Sequence, residues 1–270
     1  MKIKNKFNKI LVSTFVLYIS VFFVLFVIIK DKDFSELENR KLSKFPKFTL
    51  ERLMNKEFGD EFETYLADQF PLRDKFISIK SSSEYVLQKK ENNGVYIGDN
   101  GMFIEKFDEM DTELIDKITS YINNFSKKYN TYMMIAPTTY TIYSDNLPMY
   151  VDTNKELDAM KYFSSKLDSE IVNIPIVDIL KEHKKEYIYY NTDHHWTTLG
   201  AYYGYTKFAE YYNIDAIKYS DFDKKVVSDS FYGTLFSKGN FTYAKPDNIA
   251  LYYPKKEVNY VVDYVFSKAN

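Results

Sequence analysis

The 270-residue chain has no cysteine. That excludes a disulfide framework, thiolate-held zinc, an iron–sulfur centre and a cysteine nucleophile. Glycine and proline are sparse, 8 and 7 residues, so a collagen-like repeat or a long low-complexity linker is also out. Histidine is limited to His183, His194 and His195, and tryptophan to Trp196, which leaves proton transfer near neutral pH few places to sit. Charge of one sign is lacking too: the net charge is −2, so there is no overall basic attraction and no nucleic-acid partner is expected. What is present is a globular composition, 45% hydrophobic, with 26 Tyr and 22 Phe.

One apolar run is long. Residues 10–29 are interrupted only by Ser13, Thr14 and Ser20, and at about 1.5 Å per residue they span about 30 Å, the thickness of a bilayer's hydrocarbon core. Lys2, Lys4, Lys6 and Lys9 precede the run, whereas the charges of Lys30-Asp31-Lys32-Asp33 after it balance. The positive-inside bias predicts a cytoplasmic N-terminus and export of everything beyond residue 29. The run ends Phe26-Val27-Ile28-Ile29-Lys30 without a small-x-small cleavage pattern, which favours an uncleaved single-pass anchor in the cell membrane over a signal peptide. The expected organisation is a basic cytoplasmic tail (1–9), a transmembrane helix (10–29), a juxtamembrane linker (30–48) and an extracytoplasmic domain (49–270).

In that domain apolar spacing predicts an amphipathic helix from Leu50 to Phe70 and a second after Pro71. A hairpin turns at Asp99-Asn100-Gly101, since Asn-Gly accepts positive φ. Asp111 or Thr112 caps a further helix. Tyr132-Met133-Met134-Ile135-Ala136, stopped by Pro137, reads as a strand buried on both faces, and Tyr187-Ile188-Tyr189-Tyr190 is the next strand expected. Helices and strands in this order predict an α/β fold with a mostly parallel sheet and flanking helices. Functional loops gather beyond the carboxyl ends of such strands, which singles out Thr138, Thr139 and Tyr140 as lining a cleft, together with the loop after Tyr190.

That second loop is the one dense cluster of chemistry: Asn191-Thr192-Asp193-His194-His195-Trp196. In an extended segment residues two apart face the same way, so Asp193 and His195 project together while His194 points away. A carboxylate fixing one imidazole nitrogen leaves the other as a general base, and Trp196 walls the ring. The simpler alternative is that Asp193 or Thr192 caps the helix beginning near Thr197. Metal binding is disfavoured, because adjacent His194 and His195 do not readily share a tetrahedral ion, so no metal is expected. His183, beside Lys184 and Lys185, reads as solvated. The tyrosines around the motif either stack on sugar rings or simply pack.

Thr192-Asp193-His194-His195-Trp196, followed by Leu199-Gly200-Ala201, resembles the signature of the DHHW family of exported bacterial proteins. More remotely it is similar to the Asp-x-His-Trp motif of SGNH-hydrolase-like alginate O-acetyltransferases. Glu38-Asn39-Arg40, Asp68-Gln69-Phe70-Pro71-Leu72-Arg73-Asp74, Asn93–Gly98, Ala136-Pro137-Thr138, Asn146-Leu147-Pro148 and Phe231-Tyr232-Gly233-Thr234 resemble the family as well. The resemblance implies an SGNH-hydrolase-like fold in which Asp193 and His195 belong to a Ser-His-Asp triad that transfers or removes acyl (acetyl) groups on cell-surface polysaccharide. The acyl donor would come from a membrane partner, and no cofactor is implied. In these families the serine follows in an Asp-Ser segment. Val265–Asn270 offers no counterpart, and Ser230, in Ser228-Asp229-Ser230, is the one candidate within the chain. The expectation is a C-terminally shortened member, weakly active or inactive alone. The alternative is a non-catalytic cell-envelope module that binds a glycan or a partner protein.

Overall fold

The computed structural model describes residues 2–256; Val265–Asn270, weighed above for a serine, lie outside them. The fold is mixed α/β and divides into two compact units, one of residues 1–89 with 240–243, the other of residues 90–239 with 244 onward.

The first unit begins with α1 (Lys2–Ile28), of which residues 6–28 are long and apolar enough to cross a membrane. A short antiparallel pair follows, β1 (Phe34–Ser35) with β2 (Arg40–Lys41). The helix expected from Leu50 to Phe70 is two helices, α2 (Leu50–Met54) and α3 (Glu57–Asp68). The break has a local cause: Lys56 sits at φ 73°, and the Asn55 side chain takes the Glu57 amide at 3.3 Å, out of the helical path. After Pro71, α4 (Arg73–Val86) starts from Leu72 at φ 61°.

An ionic clasp joins these pieces. The Arg40 guanidinium forks onto buried Asp68 at 2.6 and 3.1 Å, and the Ser43 amide donates to the same carboxylate at 2.8 Å. The guanidinium's hydrogen bonds, set against the opposing effect of burial, hold the Asp68 carboxyl well below the usual carboxylate range. Arg73 pairs with Glu38 at 2.9 Å.

In the second unit β3 (Glu91–Asn92), β4 (Val95–Ile97) and β5 (Phe103–Glu105) form an antiparallel sheet. The expected turn lies between β4 and β5, with Asn100 at φ 57° and Gly101 at φ 80°. Next come α5 (Thr112–Ser126), capped by Asp111 through the Leu114 amide at 2.9 Å, β6 (Tyr132–Met133), α6 (Thr139–Ile142), α7 (Lys155–Ser165), β7 (Val172–Asn173) and α8 (Val177–Glu182). Then follow α9 (Thr198–Tyr212), β8 (Phe222–Phe231), α10 (Thr234–Gly239) and β9 (Asp247–Pro254), with β8 and β9 antiparallel. Ile104, Ile142, Ile174, Ile176, Leu180 and Ile188 centre the core, and Trp196, Leu199, Tyr203 and Phe208 pack against it.

A mostly parallel sheet is not what the described residues form. The one parallel pair is β6 with β7, two residues each; the other pairings are antiparallel. Two strand readings explain the difference. Tyr132 is exposed, so its segment is not covered on both faces. The Tyr187–Tyr190 stretch pairs with the chain that follows it, not with a neighbouring strand: Thr197 donates to the Ile188 carbonyl at 2.8 Å, Tyr190 to that of His195 at 3.3 Å, and Tyr189 bridges Trp196. An apolar run shows that a segment is buried, but not whether its amides pair with a strand or a returning loop.

Candidate functional site

The loop between Tyr190 and α9 is pinned from behind by Asp247, the first residue of β9 and 2% exposed. Its Oδ2 accepts the Thr192 amide at 2.7 Å and the Thr192 hydroxyl at 2.6 Å. Its Oδ1 accepts the Asn191 amide at 2.9 Å, the Asn191 side chain at 3.1 Å and the Tyr187 hydroxyl at 2.6 Å. Burial, followed by that bond, raises the Tyr187 phenol above its ordinary value. Phe103 of β5 donates to the Asn191 carbonyl at 2.8 Å, fixing the loop from the hairpin side.

On this base Asp193 and His195 come together: Asp193 Oδ1 lies 2.5 Å from His195 Nδ1. The expected contact exists, but strand alternation does not make it. The same Oδ1 accepts the His195 backbone amide at 2.9 Å, an Asx turn that bends the chain within three residues. The bend also corrects the reading of His194. Its ring does not point away but lies 4.0 Å from that of His195, with Nδ1 2.8 Å from the Thr234 hydroxyl.

Thr234, at the start of α10, completes the carboxylate's surroundings. Its amide donates to Asp193 Oδ2 at 2.8 Å and its hydroxyl at 3.1 Å. Gly233 before it has no alternative side chain, because a Cβ there would overlap Asp193. The Gly233 amide donates to the Thr192 hydroxyl at 3.0 Å. Asp193 is 3% exposed. Burial opposes its ionisation, but the amides of Thr234 and His195, with their side chains, outweigh it and keep the carboxyl below the usual range. An ionised Asp193 accepts the proton on His195 Nδ1, so Nε2 presents its lone pair. The His195 side chain is 66% exposed, and Nε2 has no hydrogen bond among the described residues.

The remaining sequence-derived residues fall elsewhere. Trp196 does not wall the imidazole but turns inward, its ring so close to Gly204 of α9 that a Cβ there would sit 3.1 Å away. Thr197, not Asp193 or Thr192, caps α9, accepting the Gly200 amide at 3.3 Å. Thr139 and Tyr140 are corrected as well: both are buried, and the Tyr140 hydroxyl donates to the Asp152 carbonyl, so neither side chain faces open space. The cause is buried Glu156, which accepts the amide and hydroxyl of both Thr138 and Thr141 and folds their segment into α6. Thr138, half-buried, is held in the same bonds. Ser230 is exposed on β8, its amide 3.4 Å from Ser228 Oγ, and no hydrogen bond joins it to His195 among the described residues. His183 is not merely solvated: it bonds Glu186 at 2.7 Å and stacks on Tyr203.

Ligand-type atoms of Asp193, His194 and His195 lie within 4.8 Å of one another, the spacing of a metal cluster. Both carboxylate oxygens and both Nδ1 atoms are, however, engaged in the network through Thr234 and Asp193. Sequence reasoning missed Asp247, Gly233 and Thr234 as site residues. The last two had a signal, because Phe231-Tyr232-Gly233-Thr234 was among the family-like segments. Asp247 had none, since its role depends on a contact more than fifty residues away in sequence.

A crystal structure of a DHHW family protein from Eubacterium siraeum is 27% identical, with a TM-score of 0.53, covering 61% of this chain and 55% of that one. Bacillus cereus PatB1 is 20% identical over 60% of this chain and 58% of its own, with a TM-score of 0.49. The O-acetyltransferase domain of Pseudomonas putida AlgJ is 17% identical over 60% and 66%, with a TM-score of 0.47. The chain thus spans little more than half the length of the first of these. No curated protein matches it. The family described as DHHW protein matches residues 95–263, well over half of the sequence, and the chain belongs to that family.

Proposed function

We propose that this is a membrane-anchored, extracytoplasmic protein with an SGNH-hydrolase-like domain that transfers or removes acyl groups, acetyl foremost, on cell-surface polysaccharide. The observation that carries the reading is the Asp193–His195 pair: an ionised, buried carboxylate holds one imidazole nitrogen and leaves the other exposed. The anchor is α1, oriented N-terminus inward by its flanking lysines.

In the proposed reaction His195 Nε2 takes the proton of a serine hydroxyl as that oxygen attacks the acyl carbonyl. The donor's alcohol leaves with the proton from Nε2. A sugar hydroxyl, or water, then gives its proton to Nε2, attacks the acyl-serine ester and releases the serine oxygen, which recovers the proton. Asp193 stabilises the imidazolium formed twice in the cycle. Ser230 is the candidate for that serine within this chain, and no hydrogen bond joins it to His195 among the described residues.

A fluorophosphonate probe on the whole protein in membranes tests the assignment. At most weak labelling is expected of this chain alone, and any labelling is expected to fall to background in His195→Ala and in Ser230→Ala. Labelling that persists in His195→Ala removes the base; labelling that persists in Ser230→Ala moves the nucleophile elsewhere. One observation favours a second reading, a non-catalytic glycan-binding module: no hydroxyl is hydrogen-bonded to His195 Nε2 among the described residues. Polysaccharide binding measured by calorimetry without probe labelling, and unchanged in Asp193→Asn, selects that module.

A further inference from the structure

The apolar helix α1 is not bare along its whole length. Phe22, Leu25 and Phe26, one stripe at helical spacing, are partly covered while their neighbours are exposed. Phe22 stacks on Phe70 with ring centres 5.3 Å apart and 9° between planes, and meets Phe76 at 5.8 Å. Phe26 meets Tyr65 edge-on at 5.8 Å. The covering residues belong to the corner between α3 and α4, in the same compact unit.

Depth makes this contact informative. The apolar run of residues 10–29 is bracketed by Lys9 and Lys30, and its length of about 30 Å matches a hydrocarbon core with no slack for sliding. Phe22 precedes the end of the run by seven residues, about 10 Å along the axis, well inside the outer half of that core. A ring stacked on Phe22 cannot lie outside the layer that contains Phe22. We propose that the Phe70–Phe76 corner is a wedge seated among the acyl chains of the outer leaflet of the bilayer that α1 crosses. This rests on the membrane-spanning reading of α1 given above.

The chemistry of the corner suits that place. Phe70, Leu72 and Phe76 are still 40%, 49% and 42% exposed, which leaves an apolar surface open among the described residues. Part of its turn bonds internally, which lowers the cost of lipid contact: Arg73 donates to the Phe70 carbonyl at 3.0 Å, and Lys75 and Phe76 donate to that of Leu72 at 2.9 and 3.1 Å. Its charges are paired, Arg73 with Glu38 and Asp74 with Lys32. Lys75 remains, exposed and long enough to reach the headgroups.

The absence of cysteine allows single-site labelling of the full chain. Val16→Cys (mid-helix), Leu72→Cys (corner) and Ser120→Cys (exposed on α5) would each carry an environment-sensitive nitrobenzoxadiazole dye. The proteins would be reconstituted in phosphatidylcholine–phosphatidylglycerol vesicles, with and without nitroxide-labelled lipid. Expected are blue-shifted, several-fold nitroxide-quenched emission at positions 16 and 72, and aqueous, unquenched emission at 120. Quenching at 16 with an aqueous signal at 72 overturns the wedge while leaving the anchor. An aqueous signal at both overturns the anchor and the wedge with it.

Discussion

Asp68 and Asp193 are both buried carboxylates kept ionised, one in each compact unit, but they are kept so by different means. Asp68 is met by a guanidinium that forks onto both oxygens and by one amide. Asp193 is met by two amides, a hydroxyl and an imidazole. A guanidinium neutralises the charge and has no proton to trade, so the first arrangement fastens chain segments. An imidazole can accept a proton, so the second stores negative charge for a neighbour that becomes positive. Burial and ion pairing alone therefore do not mark a reaction centre; the partner's chemistry does.

Substitutions can break this contrast, and the largest effect belongs to the second carboxylate. Asp193→Asn is expected to lower probe labelling or acyl-transfer rate by roughly 10³- to 10⁴-fold while leaving the circular dichroism spectrum intact, since the neutral amide cannot stabilise the imidazolium. An unchanged rate would reduce Asp193 to a loop fastener like Asp68. Gly233→Ala comes next. Its methyl meets the Asp193 side chain, and overpacking of that kind costs about 1–3 kcal/mol, read as a lower denaturation midpoint together with lost labelling. Arg40→Ala is expected to cost about 1–2 kcal/mol: it strands a buried carboxylate, but the guanidinium is partly exposed and the loss is correspondingly reduced. It should leave labelling unaffected, which urea unfolding beside a probe assay would show.

Acid sharpens the same contrast with the smallest effect. Both carboxyls sit below their ordinary values in the folded chain. The unfolded chain therefore takes up protons first as pH falls, and the stability these groups supply, complete at neutral pH, is lost below about pH 4. Denaturation midpoints are expected to be flat between pH 5 and 7 and to decline below, less steeply in Asp68→Asn than in Asp193→Asn, because the guanidinium lowers Asp68 further. The reverse order would mean that the amides and side chains around Asp193 hold their carboxylate lower than the guanidinium holds Asp68.

Much of the candidate site was legible because its central contact is local. Asp193 and His195 are two residues apart, and spacing brought them together, though for the wrong reason: the backbone bends through an Asx turn where an extended segment was expected. The helix cap at Asp111 and the turn at Asn100-Gly101 were legible on the same terms, each resting on a side chain's preference within three residues. The sheet was not, because Tyr187–Tyr190 spends its backbone bonds on the returning loop. Nor were Thr139 and Tyr140, whose burial is dictated by Glu156 from a helix fifteen or more residues on. The family-like segments Glu38-Asn39-Arg40 and Asp68–Asp74 proved to be partners of each other, Arg40 with Asp68 and Arg73 with Glu38, a pairing that no single-sequence pattern reports.

The Asx turn gives the Asp193–His195 pair a further property. One oxygen grips the backbone and the ring of the same residue, so the alignment of carboxylate and base is written into a tripeptide. Fine adjustment is left to Thr234, whose hydroxyl is hydrogen-bonded to both Asp193 and His194. Exchanging that hydroxyl would change the carboxylate's surroundings without disturbing aim.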